Sequence, residues 1–450
     1  MPCANWVSLP FSDDPCFMRR IDSDGDEIIV KIFVDDVKWG GKDETKLRTV
    51  IKRLHDEHFP MTFEGVVSSY LGMNYVHGED ADGYTTLNVN QTTYIDQLIA
   101  RFELDDKAMA SARRSGRYNT PLPVNSSDED FEKKMSDGIL LDEGLKAWSA
   151  KFSFPTIIGS LIHAMVHTRP DIAYAVSVLS RHMAKPSLWI YCAARHLLWY
   201  LQNTRTLGLE YSQKNMLDHE KLVTAAVDED GNIFDTVLHA AVDSSFADCS
   251  KTYRSTGGYV AWFGGSPIEW ECKRQSIVTL STMEAEYVAA SKCVCSIKFL
   301  HKLCNFVGLR RSGPTQVAED NAACVAISTK PVHRQRSRFI GVKYANVREG
   351  CLNGDCTLIQ TPTKLQVADM FTKQISGPDF ARFRGVLMGH VPYQAMVDRY
   401  VHDQQGASKI SSLMKEPAAL KQKTVMSFRD CIMGKCHVDI PGYESVPSSV

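Results

Sequence analysis

Four carboxylates in the second half of the chain stand where the pattern of the sequence would let them meet. Asp243 ends the apolar segment Val237 to Val242. Glu286 lies in Ser281-Thr282-Met283-Glu284-Ala285-Glu286-Tyr287, which opens a long helical run. Asp320 ends an apolar run that begins at Val317, and Asp369 lies in Gln366-Val367-Ala368-Asp369-Met370. A cluster of carboxylates can hold hard divalent ions such as Mg2+ or Mn2+, which take oxygen ligands from a few protein groups plus water and phosphate. Two such ions can activate a water and stabilise the leaving oxygen of a phosphodiester. Residue type alone does not decide this, because most of the 53 Asp and Glu are surface charge. The setting argues for a cluster. Strands rich in β-branched residues precede Asp243 and Asp320, and helical patterns carry Glu286 and Asp369.

A second pair, Asp35 and Asp36, follows the apolar, β-branched run Glu27 to Val34. Two acids there could cap a hairpin or be metal ligands at its tip. The elements around this pair are legible from periodicity. Leu47, Val50, Ile51 and Leu54 share one face of a helix over Lys46 to Phe59. Tyr70 to His77 and Tyr84 to Val89 flank the turn Asp82-Gly83 as a hairpin. Ile95, Leu98, Ile99 and Phe102 mark another helix over Thr93 to Phe102. Ala110 to Ala150, with Arg113, Arg114, Arg117, two prolines and a polar run, reads as a linker or surface loop. Phe154 to Asn203 is helical, and Pro155, Pro170 and Pro186 sit where helices begin. His163, His167, His182 and His196 in this region read as packing or surface residues. Further on, strands are expected near 238–243, 256–263, 267–270 and 315–319. Helices are expected over 283–307 and 321–329.

The 450 residues suggest two to four domains. No apolar run reaches the length of a membrane span. Met1 to Arg20 contains no uninterrupted apolar core, so no signal peptide is expected. The 13 scattered cysteines suggest free thiols in a reducing compartment. Cys293/Cys295 and Cys351/Cys356 have no second pair at zinc-site spacing and read as core or incidental. The net charge of −2 is unremarkable, but Leu238 to Ser376 carries 17 Lys and Arg against 11 Asp and Glu. That excess suits a phosphate-backbone partner, though ordinary surface variation could also produce it. Candidate phosphate contacts are Lys273, Arg274 and the cluster Arg334, Arg336 and Arg338; a solvated charge run fits the latter equally well.

Several segments fall in an order that resembles one family. They are Arg254-Ser255-Thr256-Gly257-Gly258-Tyr259-Val260, Pro267-Ile268-Glu269-Trp270, Lys273-Arg274-Gln275, Glu284-Ala285-Glu286-Tyr287, Asp320-Asn321 and Ala368-Asp369-Met370-Phe371-Thr372-Lys373. Together they resemble the ribonuclease H domain of copia-type retrotransposon Pol polyproteins. Upstream, Asp14-Pro15-Cys16, Phe33-Val34-Asp35-Asp36 and Tyr70-Leu71-Gly72-Met73 resemble the reverse transcriptase of the same family. So do Thr168-Arg169-Pro170-Asp171-Ile172-Ala173 and Trp199-Tyr200-Leu201. The resemblance runs from about 14 to 387.

The resemblance implies an α/β (α+β) chain: a partial reverse-transcriptase palm, a helical connection, then a ribonuclease H-like mixed sheet with flanking helices. The expected divisions are 1–118 palm and thumb, 119–150 linker, 151–235 connection, 236–376 ribonuclease H-like and 377–450 a tail of unknown role. It implies that Asp243, Glu286, Asp320 and Asp369 bind catalytic Mg2+ or Mn2+ and cut RNA in RNA–DNA hybrids. It further implies that Asp35 and Asp36 are metal ligands of the polymerase, and that a template-primer is a partner. Glu286 fits the family's pattern better than Glu284, being followed by Tyr287 and Ala289. A polymerase also needs a third aspartate on an earlier strand and the fingers, and the chain starts too late for either. DNA synthesis by this chain alone is therefore not expected. Phe339, Gly341 and Met283 depart from the family pattern outside the four carboxylates. The expected location is intracellular, cytoplasmic in a virus-like particle or nuclear, and not secreted. The alternative is a decayed remnant that binds nucleic acid without catalysis.

Overall fold

The computed structural model describes residues 9–21, 25, 27–41, 43–58, 60, 62, 64–104, 118–123, 143–216, 238–309, 313–329, 341–375, 377–393 and 395–403. Among the described residues the chain is α+β, with three sheets. Arg113, Arg114, Arg117, Arg334, Arg336, Arg338 and Phe339 lie outside the described residues.

The first sheet is an antiparallel meander of β1 (Leu9–Phe11), β2 (Asp14–Ile21), β3 (Glu27–Phe33) and β4 (Asp36–Gly41), followed by helix α1 (Glu44–Glu57). Asp43 caps α1 by accepting from the Thr45 and Lys46 amides. The second sheet holds β5 (Ser69–Tyr70), β6 (Met73–Glu79) and β7 (Thr85–Asn90), with helix α2 (Thr92–Arg101) after them. Its fourth strand, β8 (Leu209–Ser212), arrives from more than a hundred residues later and pairs with β7. Nothing local in the sequence marks β8 as a strand partner, and periodicity did not reveal it.

Between them stand helices α3 (Glu143–Lys151), α4 (Phe154–His167), α5 (Ala173–Ser180) and α6 (Leu188–Asn203). The stretch expected to be linker thus ends in a helix. Leu145 and Trp148 of α3 are buried, and the Trp148 indole donates to the Phe102 carbonyl at 2.7 Å. Tyr118, Thr120 and Leu122 are buried as well. Pro155 lies in the first turn of α4 and Pro170 opens a 3-10 turn, as expected, while Pro186 stands one residue before the Ser187 cap of α6. His196 is buried and its Nε2 meets the Thr120 carbonyl at 2.9 Å.

The third sheet is mixed. It comprises β9 (Leu238–Ser245), β10 (Thr256–Phe263), β11 (Ser266–Arg274), β12 (Thr315–Glu319) and β13 (Cys356–Gln360), in the order β11-β10-β9-β12-β13. The first three are antiparallel; β12 runs parallel to both β9 and β13. Helix α7 (Thr282–Phe306) crosses one face, joined by α8 (Ala322–Thr329) and α9 (Gly341–Leu352). Strand alternation divides the core. Ala240, Val242, Tyr259 and Val317 pack toward Tyr287, Val294 and Ile297 of α7. Ala241, Val260, Trp262 and Ala318 pack the other way, into the helical region of α4–α6. That second core also takes in Phe380, Phe383 and Leu387 of helix α10 (Gly377–Leu387). The residues just past 376 are therefore core, not tail.

A buried charge network ties these parts together. Arg169 and Asp171 have fully buried side chains and form a bidentate pair, Nε–Oδ1 at 2.8 Å and Nη2–Oδ2 at 2.7 Å. Arg169 also donates to Thr204, and the Tyr200 hydroxyl donates to Asp171. Arg384 of α10 reaches the Tyr200 oxygen at 3.1 Å. Among the described residues, no helix is long and apolar enough to cross a membrane.

Candidate active site

The site forms at the end of the mixed sheet where β9 and β12 finish side by side. Their parallel pairing brings Ala318 beside Ala241. Two residues further along each strand lie Asp320 and Asp243. The carboxyl ends of parallel strands are where α/β sheets place ligand sites. Glu286 comes from the second turn of α7. The helix start is fixed by Ser281, whose hydroxyl accepts the Glu284 amide, while the Glu284 carboxylate accepts the Leu280 amide at 2.7 Å. Glu284 is thus spent on capping the helix. Glu286 is free for the cluster, as the family pattern implied. Oxygens of Asp243, Glu286 and Asp320 all lie within 4.8 Å of one another.

Asp369 reaches the cluster by another route. It lies on a 3-10 turn, Val367–Phe371, and not on the α-helix that the sequence suggested. The buried Gln366 side chain anchors this turn across two strands, donating to the Val242 carbonyl at 3.0 Å and the Ala318 carbonyl at 3.3 Å. The turn also needs close access to β10. Gly258 pairs with Asp243 across the sheet, and a methyl at Gly258 would overlap Phe371 Cβ and lie 3.1 Å from the Glu271 carbonyl. Gly258→Ala is expected to cost about 1–3 kcal/mol through overpacking, measured by urea unfolding, and to displace Asp369. An unchanged urea midpoint would show that the turn yields without strain.

Asp369 is bound to Lys373, Oδ1 to Nζ at 2.8 Å, and the same Nζ is 3.8 Å from Asp243 Oδ2. Thr372 donates its hydroxyl to Asp243 Oδ2. A fifth acid, Glu319, is wholly buried beside the cluster and accepts the Asn321 amide at 3.0 Å. Sequence reading passed over it in favour of its neighbour Asp320. Strand alternation held the signal, because Glu319 shares the inward face of Val317. Asp320 accepts from Thr363 at 3.0 Å and is the least buried of the four expected ligands.

Burial and mutual repulsion hold Asp243, Glu286, Glu319 and Asp369 toward their neutral forms. Burial, then Glu319, Asp243 and Asp320, push Glu286 up to about 11. Burial raises Glu319 to about 8, with Asp243 and Asp320 adding to it against the Asn321 amide. Burial and Asp243 raise Asp369 to about 8, opposed by Lys373. Burial also raises Asp243, although Lys373 and Thr372 pull the other way. Oε2 of Glu286 and Oε2 of Glu319 are buried and accept no hydrogen bond. Crowded, desolvated carboxylates with idle oxygens suit a hard divalent cation, whose charge would relieve the repulsion.

These shifts have a consequence for stability. An acid whose folded pKa exceeds its unfolded value holds its proton more tightly when folded. Folding is therefore favoured below the ordinary values of 4.5 for Glu319 and 3.8 for Asp369, and that advantage is lost as pH rises toward 8. Metal-free protein is expected to lose stability from about pH 5 to pH 8, with saturating Mg2+ flattening the slope. Urea midpoints across that range, with and without Mg2+, test this; a midpoint that climbs toward pH 8 without metal would contradict it.

The other candidates are placed as follows. Asp35 and Asp36 stand at the tip of the β3–β4 hairpin, where Phe33 pairs with Asp36, and both are exposed. Among the described residues, no third metal-binding side chain gathers with them. Lys38, two residues on, lies 3.9 Å from the ring centres of both Tyr70 and Tyr75. Lys273 and Arg274 end β11 opposite Gly257 and Thr256, at the same end of the sheet as Asp243. Lys273 is exposed; Arg274 is half-buried and reaches Cys249. The thiols of Cys351 and Cys356 are free and lie within hydrogen-bond reach at 3.9 Å.

No family model and no solved structure matches the chain. Curated proteins do. Over 362 residues, 80% of this chain, it is 28% identical to the retrovirus-related Pol polyprotein from transposon TNT 1-94 of Nicotiana tabacum. Over 357 residues, 79% of the chain, it is 28% identical to the corresponding polyprotein from transposon RE1 of Arabidopsis thaliana. The matched regions cover 24% and 21% of those two proteins, so the chain spans about a quarter of the length of these relatives. A shorter match, 34% identical over 135 residues, links 30% of the chain to 82% of secreted RxLR effector protein 161 of Plasmopara viticola. The long matches support the chain as a fragment of a copia-type retrotransposon Pol polyprotein.

Proposed function

We propose that this Pol segment is a metal-dependent nuclease of the ribonuclease H type, cutting the RNA strand of RNA–DNA hybrids. The observation that carries the reading is the convergence of Asp243, Glu286 and Asp320, from two strand ends and a helix, within 4.8 Å at the end of a mixed sheet. Bound Mg2+ or Mn2+ would supply the positive charge that activates water and stabilises the leaving 3′ oxygen. The chain's residues would provide the rest. Asp243, Glu286 and Asp320 would hold the ion, with Glu319 as a buried charge behind them. Asp320, the most open of the set, would face the incoming phosphate. Asp369 would be held in line by Gln366 and the 3-10 turn.

Nucleic acid would approach over the β9–β10 loop. This loop leaves the sheet three residues after Asp243 and exposes Phe246 (40%) and Tyr253 (66%), with Lys251 and Lys273 also exposed. Ala247 and Tyr253 hold positive φ of 52° there, and Arg181 braces the loop through Asp248 at 3.1 Å and Thr256 at 2.6 Å. Aromatic faces beside basic side chains suit stacking on bases or sugars next to phosphates. The double variant Phe246→Ala/Tyr253→Ala is expected to raise KM for a hybrid about ten-fold or more, with kcat little changed. An unaltered KM would remove the loop from the interface.

The experiment for the activity itself compares end-labelled RNA–DNA, RNA–RNA and DNA–DNA duplexes in Mg2+. The reading expects cutting of RNA in the hybrid alone, leaving 5′-phosphate and 3′-hydroxyl ends. Salt-sensitive binding of the hybrid by folded protein without any cleavage would replace it with a binding role.

A further inference from the structure

The carboxylates divide into two groups. Asp243, Glu286 and Asp320 gather on their own, but Asp369 does not share that gathering. It lies beside Asp243 as a side-chain hydrogen-bond partner, and the ammonium of Lys373 touches both, 2.8 Å from Asp369 and 3.8 Å from Asp243. Asp369 and Asp243 are both about 95% buried or more, so any charge they carry needs a counter-ion close by. Lys373 supplies one from within the chain. It sits four residues beyond Asp369, just past the turn, and its side chain keeps 40% of its surface exposed. It therefore enters the site from the solvent side.

We propose that Lys373 is a tethered cation that takes the place of a second divalent ion between Asp243 and Asp369. The site then takes one ion readily, at Asp243, Glu286 and Asp320. It takes another only after the lysine leaves. The proposal rests on the nuclease reading, since it assigns how that same site is charged. A compact, strongly hydrated ammonium on a flexible stem suits such a role, being a point charge without fixed bonding directions. The arrangement keeps Asp369 and Asp243 from repelling each other before metal binds. It also makes the second position weak, so that occupancy there depends on substrate phosphate or on high metal concentration.

Mn2+ binding to the full chain, counted by electron paramagnetic resonance of the free ion, tests this without any activity measurement. The parent is expected to bind one ion in the range where Lys373→Met binds two, with the second at least about ten-fold tighter than in the parent. Lys373→Arg, which keeps the charge, is expected to bind one. Asp369→Asn is expected to bind one ion with the parent's affinity, because Asp369 is not part of the first group. Should Lys373→Met fold poorly, Mn2+ is expected to raise its thermal midpoint more than it raises the parent's. Two equivalent ions in the parent, or a single ion in Lys373→Met, would overturn the proposal and leave the nuclease reading standing. No ion bound by folded parent protein would overturn the nuclease reading itself.

Discussion

Asp320→Asn is expected to abolish metal-dependent cleavage while making the metal-free protein more stable. The two effects have one cause. Asp320 stands among Asp243, Glu286 and Glu319, and its charge raises the pKa of each of them. Asparagine has nearly the same shape and keeps an oxygen for the Thr363 hydroxyl, which lies 3.0 Å from Asp320 Oδ2. The fold should survive, relieved of a repelling charge. The same loss removes one of the three oxygens that gather within 4.8 Å. Removing a ligand charge from a cation site weakens binding because the ion is held by charged oxygens. A drop in rate of about a hundred-fold or more is expected. Urea unfolding in EDTA should show a higher midpoint than the parent, and the cleavage assay should show the loss. Retained cleavage would remove Asp320 from the metal site. Lost cleavage with a lower midpoint would point instead to a damaged fold.

Arg169→Met is expected to cost about 3–5 kcal/mol of stability, the usual price of leaving one partner of a buried ion pair alone. Asp171 would keep the Tyr200 hydroxyl but lose both guanidinium bonds, and its side chain has no exposure to water. Burial would otherwise raise the Asp171 pKa; Arg169, with Tyr200 and Arg384, brings it below its ordinary value. The double variant Arg169→Met/Asp171→Leu is expected to recover much of the loss, because it removes the orphaned charge. Urea denaturation measures both. A single variant within about 1 kcal/mol of the parent would mean that water reaches Asp171. The network also joins α4–α6 to α10 through Arg384, so its loss should loosen residues 377–387 from the core.

Much of the mixed sheet was legible beforehand because its signals are local. Apolar β-branched runs gave β9, β10 and β12, and the helical run opening at Ser281–Tyr287 gave α7 nearly to the residue. Asp243 and Asp320 stood out because each follows an apolar strand, and Glu286 because it opens a helical run; the full set of four was implied by the family resemblance. What escaped was set by distant partners. Leu209–Ser212 becomes a strand only because β7 offers an edge. Glu143–Lys151 packs through Leu145 and Trp148 against α6 and Phe102, contacts that a window over a polar stretch does not contain. Cys356–Gln360, beside β12, was missed for the same reason. Asp369 looked helical by composition, but Gln366 bonds to two strands and winds the chain into a tighter turn. Glu319 was hidden by the acid next to it.

The central claim is that the Asp243, Glu286 and Asp320 site cuts RNA in a hybrid with the help of a divalent ion. Cleavage of a labelled RNA–DNA hybrid by the full chain, in Mg2+ and again in EDTA, tests it most directly. The account predicts cutting of the RNA strand in Mg2+, none in EDTA, and restoration on adding the ion back. Folded protein that leaves the hybrid intact in Mg2+ and Mn2+ alike, or that cuts equally well in EDTA, would contradict it.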